Sequence, residues 1–149
     1  MKRILVATDD SETARQAVDA GIELAASEGA ELVFAHVVSV LDFAPESNGV
    51  EIPPARVPRA EDDPALASAV ASADEQGVPA KAELLIGYPC AQILRLARHI
   101  DADLIVIGSR GLGPLKGAFL GSTSRGVVAK AERPVMVVRE TGARELART

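Results

Sequence analysis

Tryptophan is absent, and with one tyrosine and three phenylalanines the aromatic residues amount to 3% of the 149 positions. A large aromatic recognition surface is therefore not expected. A single cysteine, Cys90, excludes an intramolecular disulfide, and as a residue following Pro89 at a helix start it reads as a small buried hydrophobe more readily than as a reactive thiol. The only two histidines, His36 and His99, have no second ligand at metal spacing, so a zinc site is not expected and His36 reads as a strand residue with one satisfied nitrogen. Positive charge is in deficit: the net charge of −5 argues against a nucleic-acid or anionic-membrane partner. No apolar run has the length of a signal peptide or a membrane span, which makes the cytoplasm the expected location.

Aliphatic residues are what the chain has. Hydrophobic residues make up 48% of it and charged residues 25%, so its core must be built from Val, Ile, Leu and Ala, as in helix-covered parallel sheets. The length predicts one domain, residues 1–149. Strands are predicted over 3–8, 32–38, 80–86, 104–107 and 135–139, each nearly continuous in apolar residues. Helices with apolar residues at three- and four-residue steps alternate with them. The first follows the capping oxygens of Asp9, Asp10 and Ser11 and stops at Gly29; the second runs from Pro64 to Gln76; the third starts at Pro89 with Ile93, Leu96, Ala97 and Ile100 inward; the fourth covers 122–131 with Val127, Val128 and Ala131 inward. Residues 39–63 carry four prolines in an irregular pattern and are expected to form a long surface loop, and 140–149 a frayed tail. Five strands alternating with four helices predict an α/β fold, a doubly wound, Rossmann-like domain with a parallel sheet and right-handed crossovers.

The most informative stretch is Gly108 to Ser124, GSRGLGPLKGAFLGSTS, between the fourth strand and the fourth helix. Glycines there let the backbone turn its N–H groups toward an anion, and a helix start adds unpaired N–H groups and a positive dipole end. It is not a P-loop, because Lys116 is followed by Gly117. It is not a dinucleotide fingerprint either, because Lys116 stands where the third glycine is needed. Its own pattern is Gly108, two residues, Gly111, nine residues, Gly121 and Ser122. Arg110 and Lys116 within it are candidate phosphate partners.

That spacing resembles the nucleotide-binding signature of the universal stress protein family, in its ATP-binding branch. The likeness extends through Ile4 to Asp9, His36-Val37, Gly87-Tyr88-Pro89, Asp103 to Gly111 and Pro134 to Val138. It implies a strand order of 3-2-1-4-5, with Thr8 and Asp9 facing Gly108 to Gly111 across the crevice where the winding reverses. By the same resemblance, backbone groups of Ala7 and Val37 approach an adenine, Ile107 and Gly108 close the pocket, Asp9 holds the ribose, and Gly111, Gly121, Ser122, Thr123 and Ser124 cradle phosphates. Asp9 also suits a helix cap, and the two roles are compatible. Asp10 departs from the family's usual Asp-Gly-Ser and is expected to point outward.

The function implied is that of an ATP-binding universal stress protein acting as a nucleotide-dependent sensor or binding module in the stress response. AMP or another adenine nucleotide is admitted as ligand, and Mg2+ could bridge the phosphates. Pairing of the apolar last strand, 135–139, with a second copy is expected to give a homodimer. Two other readings stand beside it: a slow ATPase, for which no residue positions a water, and a nucleotide-free module that binds partners through 39–63.

Overall fold

The computed structural model of the chain describes residues 1–39, 59–110 and 120–139. Each of the first four strands is followed by a helix that returns the chain to its starting edge. Strand β1 (Arg3–Ala7) leads to α1 (Glu12–Glu28), β2 (Glu31–Val38) to α2 (Pro64–Glu75), β3 (Ala80–Ile86) to α3 (Pro89–His99), and β4 (Leu104–Gly108) to α4 (Ser122–Lys130); β5 (Val135–Val138) closes the chain of elements. The sheet has five strands in the order β3-β2-β1-β4-β5, and every pairing is parallel. The fold expected from the alternation of elements and the order implied by the resemblance are both present.

Local chemistry sets the boundaries. Ser11 caps α1 by accepting from the Ala14 N–H at 3.2 Å, and Gly29 ends it in the left-handed conformation at φ 66°. Asp63 caps α2 by accepting from the Leu66 N–H at 3.0 Å, with Pro64 in the first turn. Pro89 begins α3, whose last turn carries Arg98 and His99 beside the unpaired carbonyls.

Apolar residues lie on both faces of the sheet, which is why the strands read as continuous apolar runs. On one face Ile4, Val6, Leu32, Phe34 and Val106 pack with Ile22 of α1 and Leu66 of α2; on the other Leu5, Val33, Ile105 and Ile107 pack with Ile93 of α3 and Val127 of α4. Gly21 brings α1 close to the sheet: a Cβ there would lie 2.5 Å from Val6 Cγ2.

Three expectations need correction. The loop expected over 39–63 ends earlier, because Ala60–Asp62 form a single 3-10 turn and Asp63 is a helix cap; residues 40–58 lie outside the described residues, as do 140–149. Val128 is 48% exposed, not inward, since a 100° step from fully buried Val127 turns it off the apolar face, whereas Ala131 returns to it. Strand β5 stops at Val138, one residue before Arg139.

Candidate functional site

The strands part at their carboxyl ends. Pairing of β1 with β2 runs to Ala7 opposite Ala35, and pairing of β1 with β4 only to Val6 opposite Val106. Thr8 then donates its N–H to the Ala35 carbonyl at 2.8 Å, and the chain turns away into α1. Strand β2 continues three residues further, paired only with β3. Ala35 faces β1 and the period of a strand is two, so the N–H and C=O of Val37 face the same side, beyond the last pair and into the gap. This is the point in the sheet where the winding reverses.

A cavity of about 260 Å³ fills that gap. Among the described residues its walls include Ala7, Thr8, Asp9, Val37, Ile107, Gly108, Arg110, Gly121, Ser122, Thr123 and Ser124. All eleven were singled out from the sequence; the twelfth, Gly111, lies outside the described residues, as does Lys116. The cavity also takes in Ala14, Ala35, His36, Pro89 and Ile93, which the sequence reading had assigned to structure alone. Ile93 sits one turn past Pro89, so its place on the buried stripe of α3 was the available signal for an apolar wall.

One end of the cavity is the start of α4. Gly121 is its cap residue, and no side chain caps the first turn. The Arg125 N–H makes the first intrahelical bond, to the Gly121 carbonyl at 3.0 Å, which leaves the N–H groups of Ser122, Thr123 and Ser124 without helical partners. The three hydroxyls there differ in role. Ser124 is 2% exposed and its Oγ donates to the Ser109 carbonyl at 2.9 Å and the Gly121 carbonyl at 3.2 Å, so it holds the turn together from within. Ser122 is exposed and Thr123 half-buried. The Ser109 carbonyl also accepts from the Gly121 N–H at 2.6 Å, which closes the glycine-rich stretch back onto the strand it left.

Another part of the wall is built by the turn from β1 into α1. Asp9 Oδ1 accepts from the Ser11 N–H at 3.0 Å, so this carboxylate braces the turn into α1 while Ser11 itself caps the helix. Gly108 admits α1 at close range, since a Cβ would meet the Thr13 backbone at 2.8 Å. Thr13 Oγ1 and Ser11 Oγ both donate to the Arg110 carbonyl. Thr13 is 3% exposed, and the sequence reading gave it no role. On the β2 side, His36 Nδ1 lies 2.9 and 3.0 Å from the two carboxylate oxygens of Asp63. One ring nitrogen is thereby satisfied, as expected, and it ties the cavity wall to the cap of α2. Cys90 packs against Gly126, whose Cβ would lie 2.8 Å from the sulfur, in an apolar cluster as expected, though only partly buried.

A model of the universal stress protein family matches residues 1–139. The chain belongs to the universal stress protein family. It is 41% identical over 140 residues to a universal stress protein of Thermus aquaticus, covering 93% of this chain and 98% of that one. Among solved structures it is similar to the Archaeoglobus fulgidus universal stress protein in complex with dAMP, at 26% identity and a TM-score of 0.66 over 93% of this chain and 98% of that one. It is likewise similar to a universal stress protein in complex with cAMP, at 25% identity and a TM-score of 0.68 over 92% and 95%. Adenine nucleotides are thus ligands of structural relatives.

At Asp10, where the resemblance implies a glycine, φ is 66°. That left-handed backbone explains why glycine suits this position, and aspartate is among the few residues that tolerate it. The side chain points outward as expected: its Oδ1 accepts from Arg15 at 3.1 Å and 3.3 Å, away from the cavity.

Proposed function

We propose that this universal stress protein binds an adenine nucleotide in the crevice between β1 and β4, ATP among them and AMP by the same contacts, and works as a nucleotide-dependent sensor or binding module. The observation that carries the reading is the pairing of two sets of backbone groups, unspent among the described residues, at opposite ends of one cavity. At one end Val37 offers an N–H and a C=O side by side. Adenine presents an acceptor at N1 beside a donor at N6, which matches them; guanine held in the same pose presents the reverse order and leaves two polar groups unpaired. Ala7, Ala35, Ile93 and Ile107 supply apolar walls for the ring. At the other end the N–H groups of Ser122, Thr123 and Ser124, the helix dipole and Arg110 suit phosphate. Asp9, which lines the same cavity, is the proposed partner of the ribose hydroxyls.

Binding is the activity this site supports, and catalysis has little to stand on. Asp9 is the only carboxylate lining the cavity among the described residues, and it already accepts from Ser11. Among those residues no group of three His, Cys, Asp or Glu side chains could hold a metal, so a Mg2+ ion would enter on the phosphates and would supply charge neutralisation there. The full chain is read as one domain, and as a homodimer through the edge of β5.

The decisive experiment releases small molecules from freshly purified protein by denaturation, identifies them by chromatography and mass, and follows with titration of ATP, AMP and GTP. About one adenine nucleotide per chain, or saturable binding of ATP and AMP with GTP excluded, is expected, and a Gly121→Val variant should lose both. A protein that carries no nucleotide and is not stabilised against heat by saturating ATP overturns the reading, because a ligand selective for the folded state must stabilise it.

A further inference from the structure

The first turn of α1 and the glycine-rich stretch meet at one atom, the carbonyl oxygen of Arg110. Thr13 Oγ1 donates to it, and Ser11 Oγ approaches it at 3.5 Å. A buried threonine in a helix commonly bonds back to its own helix; this one, 3% exposed, reaches across to another element instead. Gly108 makes the reach possible by letting the Thr13 backbone come against β4, where a Cβ would stand 2.8 Å away. Arg110 lines the cavity, and among the described residues its guanidinium has neither an ion-pair nor a hydrogen-bond partner.

We propose that Thr13 is a positioning residue for the nucleotide's phosphate: by fixing the Arg110 carbonyl it sets the main chain from which the Arg110 guanidinium reaches the phosphate. The proposal rests on the nucleotide reading given above. An arginine on an untethered loop loses main-chain as well as side-chain freedom when it binds. Tethering the main chain beforehand removes the first of those costs. The consequence is selective. Affinity for the phosphate-bearing ligand depends on a hydroxyl that touches neither ligand nor cavity, while affinity for the nucleoside does not.

Titration of AMP and adenosine into the full-length protein and its Thr13→Val, Thr13→Ser and Arg110→Gln variants tests this. Thr13→Val, which keeps the shape and removes the hydroxyl, is expected to weaken AMP about tenfold and adenosine less than twofold. Thr13→Ser restores the parental ratio of the two affinities, and Arg110→Gln lowers that ratio at least as far as Thr13→Val. Equal weakening of both ligands by Thr13→Val, or of neither, overturns the proposal and leaves the nucleotide site standing. Should Thr13→Val fail to fold, an unchanged ratio in Arg110→Gln overturns it alone. A parent protein that binds neither AMP nor adenosine removes the reading of the crevice itself, and the proposal with it.

Discussion

Asp10 shows how a residue can be tolerated at a backbone conformation that suits glycine. A left-handed φ costs an ordinary L-residue about 1–2 kcal/mol, less for aspartate and nothing for glycine. The exposed ion pair to Arg15 returns at most about 1 kcal/mol. These terms predict opposite behaviour for two substitutions. Asp10→Val keeps the strain and adds a branched Cβ, and should lower stability by about 1–2 kcal/mol in denaturant unfolding; Asp10→Gly should stay within about 0.5 kcal/mol of the parent, because relief of strain offsets the lost pair and the entropy of glycine. Equal losses in the two would assign the effect to Arg15 and not to the backbone. The sequence alone showed the departure at position 10 and the outward direction of the carboxylate. It could not show φ, so it could not say why glycine suits that position. Thr13 was hidden for a related reason: a threonine in the first turn of a helix looks like any other, and its partner is a main-chain carbonyl far along the chain, which no side-chain pattern marks.

Elements were legible where their signals are local. Ser11, Gly29 and Pro89 fix helix ends from a few neighbouring residues, and the strands declare themselves by apolar runs that both faces of the sheet require. The end of the span 39–63 was less legible because proline count masks a 3-10 turn followed by a cap. How strands begin together depends on contacts between distant segments, and Asp103 supplies one. Its Oδ2 accepts from the N–H groups of Lys2 at 2.7 Å and Arg3 at 2.9 Å, and its own N–H donates to the Arg3 carbonyl at 2.9 Å, so β1 and β4 start in register. The two backbone donors, Lys2 first, hold its carboxyl below the usual aspartate range. A carboxyl whose folded pKa lies below its unfolded one, about 3.9, stabilises the fold fully above that unfolded value and loses the contribution as pH falls through the folded value. The stability gap between the parent and Asp103→Asn should therefore be constant from about pH 5 upward and shrink as pH falls below about 4. Denaturant unfolding of both proteins across that range measures it, and a gap that stays the same in acid would remove the charge from the account.

At the scale of the whole molecule the sheet has two edges, β3 and β5, and they differ in how they meet water. Strand β3 carries Lys81 and Glu83, both exposed, and charges on an edge discourage pairing with another chain. Strand β5 is Val-Met-Val-Val with no charge, and Met136 is 37% exposed. The hydrogen bonds from Ile105 N–H to the Pro134 carbonyl and from Ser109 N–H to the Val138 carbonyl show that even-numbered residues of β5 face β4. The N–H and C=O of Val135 and Val137 then face outward, where a second copy could add its own β5. Val137→Pro deletes one outward donor and spares the bonds to β4, so it should leave a folded monomer, read by sedimentation at micromolar concentration beside unchanged far-ultraviolet circular dichroism. Ala82→Pro does the same to the outward edge of β3, whose flanking residues Pro79 and Gly87 bond toward β2, and should leave the oligomeric state of the parent intact. A parent that sediments as a monomer, or a dimer lost with Ala82→Pro and kept with Val137→Pro, would move the interface away from β5.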